Sequence, residues 1–132
     1  MFRILVADDD TVMLDLLSTL MELEGNQVVT VRRPSDIIPA IRQHEPAVVL
    51  MDYHLAGGDV MDTLVELKQT EGLSKIPVLV TSGMDRKVAC LNAGADGFIL
   101  KPFRPAELLQ RIREMIDNVS PPQGGSREVR IV

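Results

Sequence analysis

The stretch Ala47-Val-Val-Leu-Met-Asp52-Tyr-His-Leu-Ala-Gly-Gly-Asp59 decides the fold. Its apolar run is short, ends on a single carboxylate and gives way at once to a glycine-rich turn. A run of that length between turn signals reads as a strand buried on both faces, as in parallel sheets covered by helices. Asp52 then stands where the strand leaves the sheet. A carboxylate there gains a chemical use only if other residues bring it a cation, a positive side chain and a hydroxyl.

The same unit repeats on either side. Upstream, Phe2–Ala7 is a β-rich apolar run ending in Asp8-Asp9-Asp10. Met13, Leu17, Leu20 and Met21 follow at helical spacing, with Asp10 or Thr11 as cap and Gly25 as stop. Gln27–Val31 is a second strand. Pro34-Ser35-Asp36 opens a helix carrying Ile37, Ile38 and Ile41. Pro39 predicts that this helix starts late or bends, because a proline lacks the N–H that an interior position donates. Downstream, Asp59 caps a helix with Val60, Met61, Leu64 and Leu67. Val78–Thr81 is a fourth strand, closed by Ser82-Gly83. A short helical segment, Asp85 to Asn92, stops at Gly94. Gly97–Leu100 is a fifth strand, ending in Lys101-Pro102. Pro105 suits the first position of a last helix lined by Leu108, Leu109, Ile112 and Ile116.

Strand and helix alternating five times predict an α/β domain, a parallel sheet with helices on both faces. The domain is expected over residues 1–119. Residues 120–132 read as a tail, linker-like through Ser120-Pro-Pro-Gln-Gly-Gly-Ser126, and Glu128–Val132 is too short to be a domain.

Apolar residues make up 45% of the chain and charged residues 25%, an ordinary globular balance. The net charge of −5 argues against a nonspecific nucleic-acid surface. Cys90 is the only cysteine, which excludes an internal disulfide and a cysteine zinc cluster. No apolar run approaches the roughly 18 residues of a membrane span. The first residues are too short and too quickly acidic for a signal peptide. The expectation is a cytoplasmic protein with no membrane partner and no direct nucleic-acid binding.

In open α/β sheets, ligands bind beyond the carboxyl ends of the strands. This chain puts Asp8 and Asp9 at the first such end, Asp52 at the third, Thr81 or Ser82 at the fourth and Lys101 at the fifth. Clustered carboxylates repel, and a hard divalent cation such as Mg²⁺ relieves that while leaving positions for water and phosphate. A lysine and a hydroxyl at the rim suit phosphoryl oxygens. Each piece alone has a bland reading: an aspartate after a strand is usually a turn residue or helix cap, and Thr-Ser-Gly is usually turn chemistry. Their coincidence at four strand ends is what carries weight.

In order, Ile-Leu-Val-Ala-Asp8-Asp9-Asp10, Val-Val-Leu-Met-Asp52, Pro77-Val-Leu-Val-Thr-Ser82-Gly83 and Ala93-Gly-Ala-Asp-Gly-Phe98-Ile-Leu-Lys101-Pro102-Phe103 resemble the motifs of the response-regulator receiver domain of two-component signalling. The resemblance runs from Phe2 to about Val119. It implies a single doubly wound, flavodoxin-like domain with five helices and a five-stranded sheet in the order 2-1-3-4-5. It implies a phospho-accepting signalling domain rather than an enzyme, acting only in its own phosphorylation and dephosphorylation. Asp52 would accept the phosphoryl group from a sensor histidine kinase or a histidine phosphotransfer protein. Asp9 would bind Mg²⁺ directly and Asp8 mainly through water, with Asp52 and the His54 backbone carbonyl completing the protein ligands. Lys101 would pair with a phosphoryl oxygen.

Ser82, five residues past Pro77, matches the switch hydroxyl, and Thr81 is expected to point the other way. Phe98 matches the aromatic switch position and is expected to turn inward once Ser82 moves toward the phosphoryl group. His54 and Met84 match positions that tune phosphoryl lifetime, and Lys101–Pro102 matches a cis peptide. Homodimers through the fourth-helix side are common in the family.

The chain departs from the pattern at Ala56, where proline is usual, and at Val60, where glycine is common. A more mobile loop beside the acceptor is the expectation. The segment from Ser82 to Gly94 is about three residues short of a common receiver spacing, so the fourth helix is expected to be short. One rival is a haloacid-dehalogenase-like phosphatase starting at Asp8-Asp9-Asp10-Thr11-Val12, which would need a further acidic motif on a strand after Lys101. The other is a receiver-like binding module that is never phosphorylated.

Overall fold

The computed structural model describes residues 2–119. Its elements run β1 (Arg3–Ala7), α1 (Thr11–Leu23), β2 (Gln27–Val31), α2 (Pro34–His44), β3 (Val48–Asp52), β4 (His54–Leu55), β5 (Gly58–Asp59), α3 (Met61–Gln69), β6 (Val78–Ser82), α4 (Lys87–Asn92), β7 (Gly97–Leu100) and α5 (Pro105–Val119). Five strands form one parallel sheet in the order β2-β1-β3-β6-β7. Counting those strands alone, this is the expected 2-1-3-4-5. The tail from Ser120 onward lies outside the described residues.

Alternation along the strands sorts the core into two layers. Ile4, Val6, Leu50, Leu79 and Ile99 pack with α1 and α5, through Leu14, Leu17, Leu108 and Ile112. Leu5, Ala7, Met51, Val80 and Phe98 pack with α2, α3 and α4, through Ile37, Leu64, Leu67 and Cys90. Burying one such aliphatic side chain contributes about 1.5–3 kcal/mol, so the sheet is secured from both sides.

The helix ends follow local chemistry. Asp10 caps α1, its carboxylate accepting from Val12 N and Met13 N. Gly25, at φ +89°, closes that helix, its N–H donating to Glu22 O while Asn26 N donates to Met21 O. At α3 the cap position falls on Val60 rather than on Asp59 as expected, and Asp59, one residue earlier, accepts from Met61 N at 3.0 Å. The late start expected for α2 is not found. α2 starts at Pro34 and runs on through Pro39. Both Pro39 and Ser35, four residues before it, are exposed, so the Ser35 carbonyl that proline leaves without a donor belongs to a residue open to solvent.

Two features were not anticipated. The loop after Asp52 folds into an antiparallel hairpin of β4 and β5, with Leu55 paired to Gly58. Ala56 N donates to Arg32 O and Val60 N to Tyr53 O, and Val60 is fully buried. The glycine-rich segment is therefore tied at both ends. Second, Lys68 of α3 reaches across the far edge of the molecule. Its ammonium donates to Ile76 O and to Asp96 Oδ2, both at 2.7 Å, and to Ser74 O at 3.2 Å. Asp96 in turn accepts from Val78 N. One cation thus joins α3 to the entries of β6 and β7.

Candidate functional site

The carboxyl ends of β1, β3, β6 and β7 converge on one cluster. Asp8, Asp9 and Asp52 each present a carboxylate oxygen, and these oxygens lie within 4.8 Å of one another. The three residues of the first acidic run divide the work. Asp10 caps α1 and faces away. Asp9 is half-buried, and Arg32 donates to its backbone carbonyl at 3.1 Å. Asp8 is only 4% exposed and accepts from Asp10 N at 2.9 Å.

Asp52 has two distinguishable oxygens. Oδ1 accepts from Tyr53 N at 3.1 Å and from the Thr81 hydroxyl at 3.2 Å. Oδ2 pairs with Lys101 Nζ at 3.1 Å. Lys101 reaches there because its own N–H is bonded to Ser82 O, which extends the β6–β7 pairing by one residue. The Lys101–Pro102 peptide is cis, as expected.

The charge balance fits a hard cation. One ammonium faces three carboxylates. Burial pushes the Asp8 carboxyl above its ordinary value of 3.8, and the Asp52 charge pushes the same way. The Asp10 N–H and, more weakly, Lys101 oppose it. An all-oxygen set with surplus negative charge and one deeply buried member is the donor chemistry that Mg²⁺ takes.

The sign of the consequence follows. A carboxyl raised by folding is held more tightly protonated in the folded state, so the metal-free protein loses stability as pH climbs from 3.8 through the raised value. Asp8→Asn removes that burden. Its melting temperature without Mg²⁺ at neutral pH is expected to exceed that of the wild type by a few degrees, and the stabilisation produced by added Mg²⁺ should shrink. A variant that melts lower in the metal-free state would contradict this.

Thr81 does not point away from the site as expected: its hydroxyl reaches Asp52. Alternation does send Thr81 and Ser82 to opposite faces, but β3 pairs with β6 in the register Asp52↔Thr81. In-register neighbours of a parallel pair share a face, so Thr81 turns toward the carboxylate, not away from it. Ser82 is buried on the α4 side, its Oγ accepting from Met84 N at 3.1 Å. The register of two strands was the missing information.

Phe98 also differs from expectation. It is already inside, 8% exposed, opposite Val80 and in the same cluster as Cys90 and Ala95.

The rim carries His54 and Met84, both exposed. The His54 ring stands edge-on to Tyr53, with centroids 4.9 Å apart. Arg86, just before the six-residue α4, stacks its guanidinium over the Tyr53 ring at 4.3 Å and donates to Met84 Sδ at 3.6 Å. No sequence signal singled out Arg86, Arg32 or Lys68, because each acts across the fold rather than along the chain.

Among the described residues no strand follows β7, and only α5 comes after Lys101. The later acidic strand that a phosphatase reading requires is therefore missing from the described part of the chain.

Comparison with known proteins points one way. The family model for the response regulator receiver domain matches residues 4–113. The DNA-binding response regulator MtrA of Mycolicibacterium smegmatis is 32% identical over 111 residues, which is 84% of this chain and 49% of that protein. The phosphate regulon transcriptional regulatory protein PhoB of Escherichia coli is 30% identical over 122 residues, covering 90% of this chain and 53% of that protein. The chain thus spans about half the length of the curated relatives it matches. Among solved structures, the BeF3-activated N-terminal receiver domain of Klebsiella pneumoniae RstA superposes with a TM-score of 0.77 at 28% identity, over 86% of this chain and 97% of that one.

Proposed function

The chain belongs to the response regulator receiver domain family, and on that footing we propose that Asp52 takes up the phosphoryl group through which it signals. A receiver is a phosphorylation-dependent signalling domain, and its chemistry is confined to gaining and losing that group. The observation that carries the assignment to Asp52 is its pairing with Lys101 at 3.1 Å beside the carboxylates of Asp8 and Asp9.

A carboxylate oxygen of Asp52 attacks phosphorus, and the bond to the donor imidazole nitrogen breaks with its electron pair returning to the ring. Lys101 already lies where a phosphoryl oxygen would need a positive charge. Asp8, Asp9, Asp52 and the His54 carbonyl would hold Mg²⁺, which when bound offsets carboxylate repulsion and draws charge from the phosphoryl oxygens. Tyr53 N, donating to Asp52 Oδ1, orients the acceptor.

The new group adds charge and three acceptor oxygens. Ser82 is the hydroxyl that answers it, giving up its contact with Met84 N. Because Ser82 and Phe98 sit on the α4 side of the sheet, that shift is transmitted to α4 and β7. Val88, Leu91 and Leu100 are exposed apolar residues on those elements and support an output surface there. His54 and Met84, both exposed, would set the access of water.

The phosphoryl donor is a sensor histidine kinase or a histidine phosphotransfer protein, and the setting is the cytoplasm. Among the described residues no helix is long and apolar enough to cross a membrane.

The test is incubation with acetyl phosphate and Mg²⁺, followed by intact mass. One phosphoryl adduct per chain is expected, and hydroxylamine should remove it, as it removes acyl phosphates. An absent adduct, or one that resists hydroxylamine, would reject an aspartyl phosphate and favour the unphosphorylated binding module.

A further inference from the structure

Two hydroxyls stand at the end of β6, and the family pattern accounts for only one. Thr81 is 3% exposed, and its hydroxyl donates to Asp52 Oδ1 at 3.2 Å. The contact follows from the Asp52↔Thr81 register, so it belongs to the sheet and not to a movable loop. We propose that Thr81 is a lifetime-setting residue, whose hydroxyl shortens the life of the phosphorylated state by stabilising the carboxylate that departs when the aspartyl phosphate hydrolyses. This rests on the assignment of Asp52 as the phosphoryl acceptor.

In hydrolysis, a water oxygen forms a bond to phosphorus and the bond between phosphorus and the Asp52 oxygen breaks. The bonding electron pair stays on the carboxylate, and the proton from water leaves with inorganic phosphate. Phosphoryl transfer passes through a loose transition state in most analyses, with the bond to the leaving group largely broken and the bond to the nucleophile barely formed. The leaving carboxylate therefore carries most of its charge at the top of the barrier. A hydrogen bond to a carboxylate is stronger than one to the oxygen of an acyl ester. Thr81 consequently favours departure, whichever Asp52 oxygen carried the phosphorus, because the returning charge spreads over both.

The same looseness predicts an asymmetry. When Asp52 is the nucleophile, its bond to phosphorus has hardly begun to form, so losing one hydrogen bond changes its attack little. Removal of the Thr81 hydroxyl should therefore lengthen the phosphorylated state while leaving its formation nearly unchanged. A purely structural role would disturb both steps, or lower the melting temperature and leave both rates alone. Ser82 does not replace this bond, since it lies on the other face of the strand and answers the phosphoryl oxygens instead.

The test uses Thr81→Val, which keeps the side-chain shape, and Thr81→Ser, which keeps the hydroxyl. Each variant and the wild type are phosphorylated with acetyl phosphate and Mg²⁺, the donor is removed, and the adduct is followed by intact mass. Thr81→Val is expected to lengthen the adduct half-life about five- to tenfold, with the rate of formation changed less than about twofold. Thr81→Ser is expected to keep a half-life near that of the wild type. A half-life in Thr81→Val that is unchanged or shorter overturns the proposal. So does a loss of formation rate as large as the change in lifetime, or a Thr81→Ser half-life matching that of Thr81→Val. Absence of any adduct in the wild type would instead overturn the acceptor assignment, and this proposal with it.

Discussion

Asp52→Asn is expected to stay folded and to lose phosphoryl uptake, by at least about a hundredfold and to the detection limit of intact mass. The amide is nearly the same shape as the carboxylate. Its oxygen can still accept from Tyr53 N and Thr81, so the end of β3 keeps its local bonds. What disappears is the nucleophile, since an amide does not attack phosphorus. The folded state should tolerate the change well. Loss of the partly exposed ion pair with Lys101 is offset by relief of the repulsion that Asp52 exerts on Asp8. A thermal melt beside the mass measurement separates the two effects. Residual adduct in Asp52→Asn would move the acceptor to Asp8 or Asp9. Turnover of a small phosphate ester, lost in Asp8→Asn but kept in Asp52→Asn, would restore the phosphatase reading.

The second large effect concerns stability. Gly94→Ala is expected to cost about 2–4 kcal/mol, lowering the melting temperature by roughly 6–15 °C. Gly94 closes α4 at φ +111°, its N–H donating to Leu91 O while Ala95 N donates to Cys90 O. That conformation alone disfavours a side chain. The larger reason lies across the chain. A Cβ at this position would stand 2.7 Å from Lys68 Cγ and 3.0 Å from Lys68 Cβ. Lys68 cannot simply swing aside, because its ammonium is bonded to Ile76 O, Ser74 O and Asp96. Moving it would strip a nearly buried cation, 12% exposed, of its partners. Chemical denaturation measures the cost. In the Lys68→Ala background the penalty should fall to the backbone component alone, about 1 kcal/mol. A Gly94→Ala variant within about 0.5 kcal/mol of the wild type would refute the crowding.

Most of the fold was legible because it depends on local patterns. The apolar runs before Asp8, Asp52, Ser82 and Lys101 mark strands, and Gly25 and Gly94 mark helix ends by the φ they adopt. The acidic trio and Lys101 were legible for a related reason, since strand ends in a doubly wound sheet meet on one edge. What escaped was pairing information. Thr81 could be assigned to the face of Asp52 only after β3 and β6 were set in register. The inward Phe98 depended on the β6–β7 pairing, which sets it opposite the buried Val80. Arg32 reaching Asp9 O and Lys68 reaching Asp96 join residues 23 and 28 positions apart, beyond any sequence window. The α2 helix misled in the opposite direction. Pro39 obeys its local rule at the cost of one hydrogen bond, but Ile37 and Ile41 are buried beside it and outweigh that loss.

The two hydroxyls of β6 diverge by one residue and so fall on opposite sides of the sheet, Thr81 with the α1 and α5 layer and Ser82 with the α4 layer. With the roles proposed for them, a clock and a transmission would be mounted back to back on a single strand. Evolution or an engineer could reset how long the signal persists by editing one side, without rewriting the gearing that conveys it on the other. A regulator built this way can be matched to fast or slow stimuli while its downstream connection is kept.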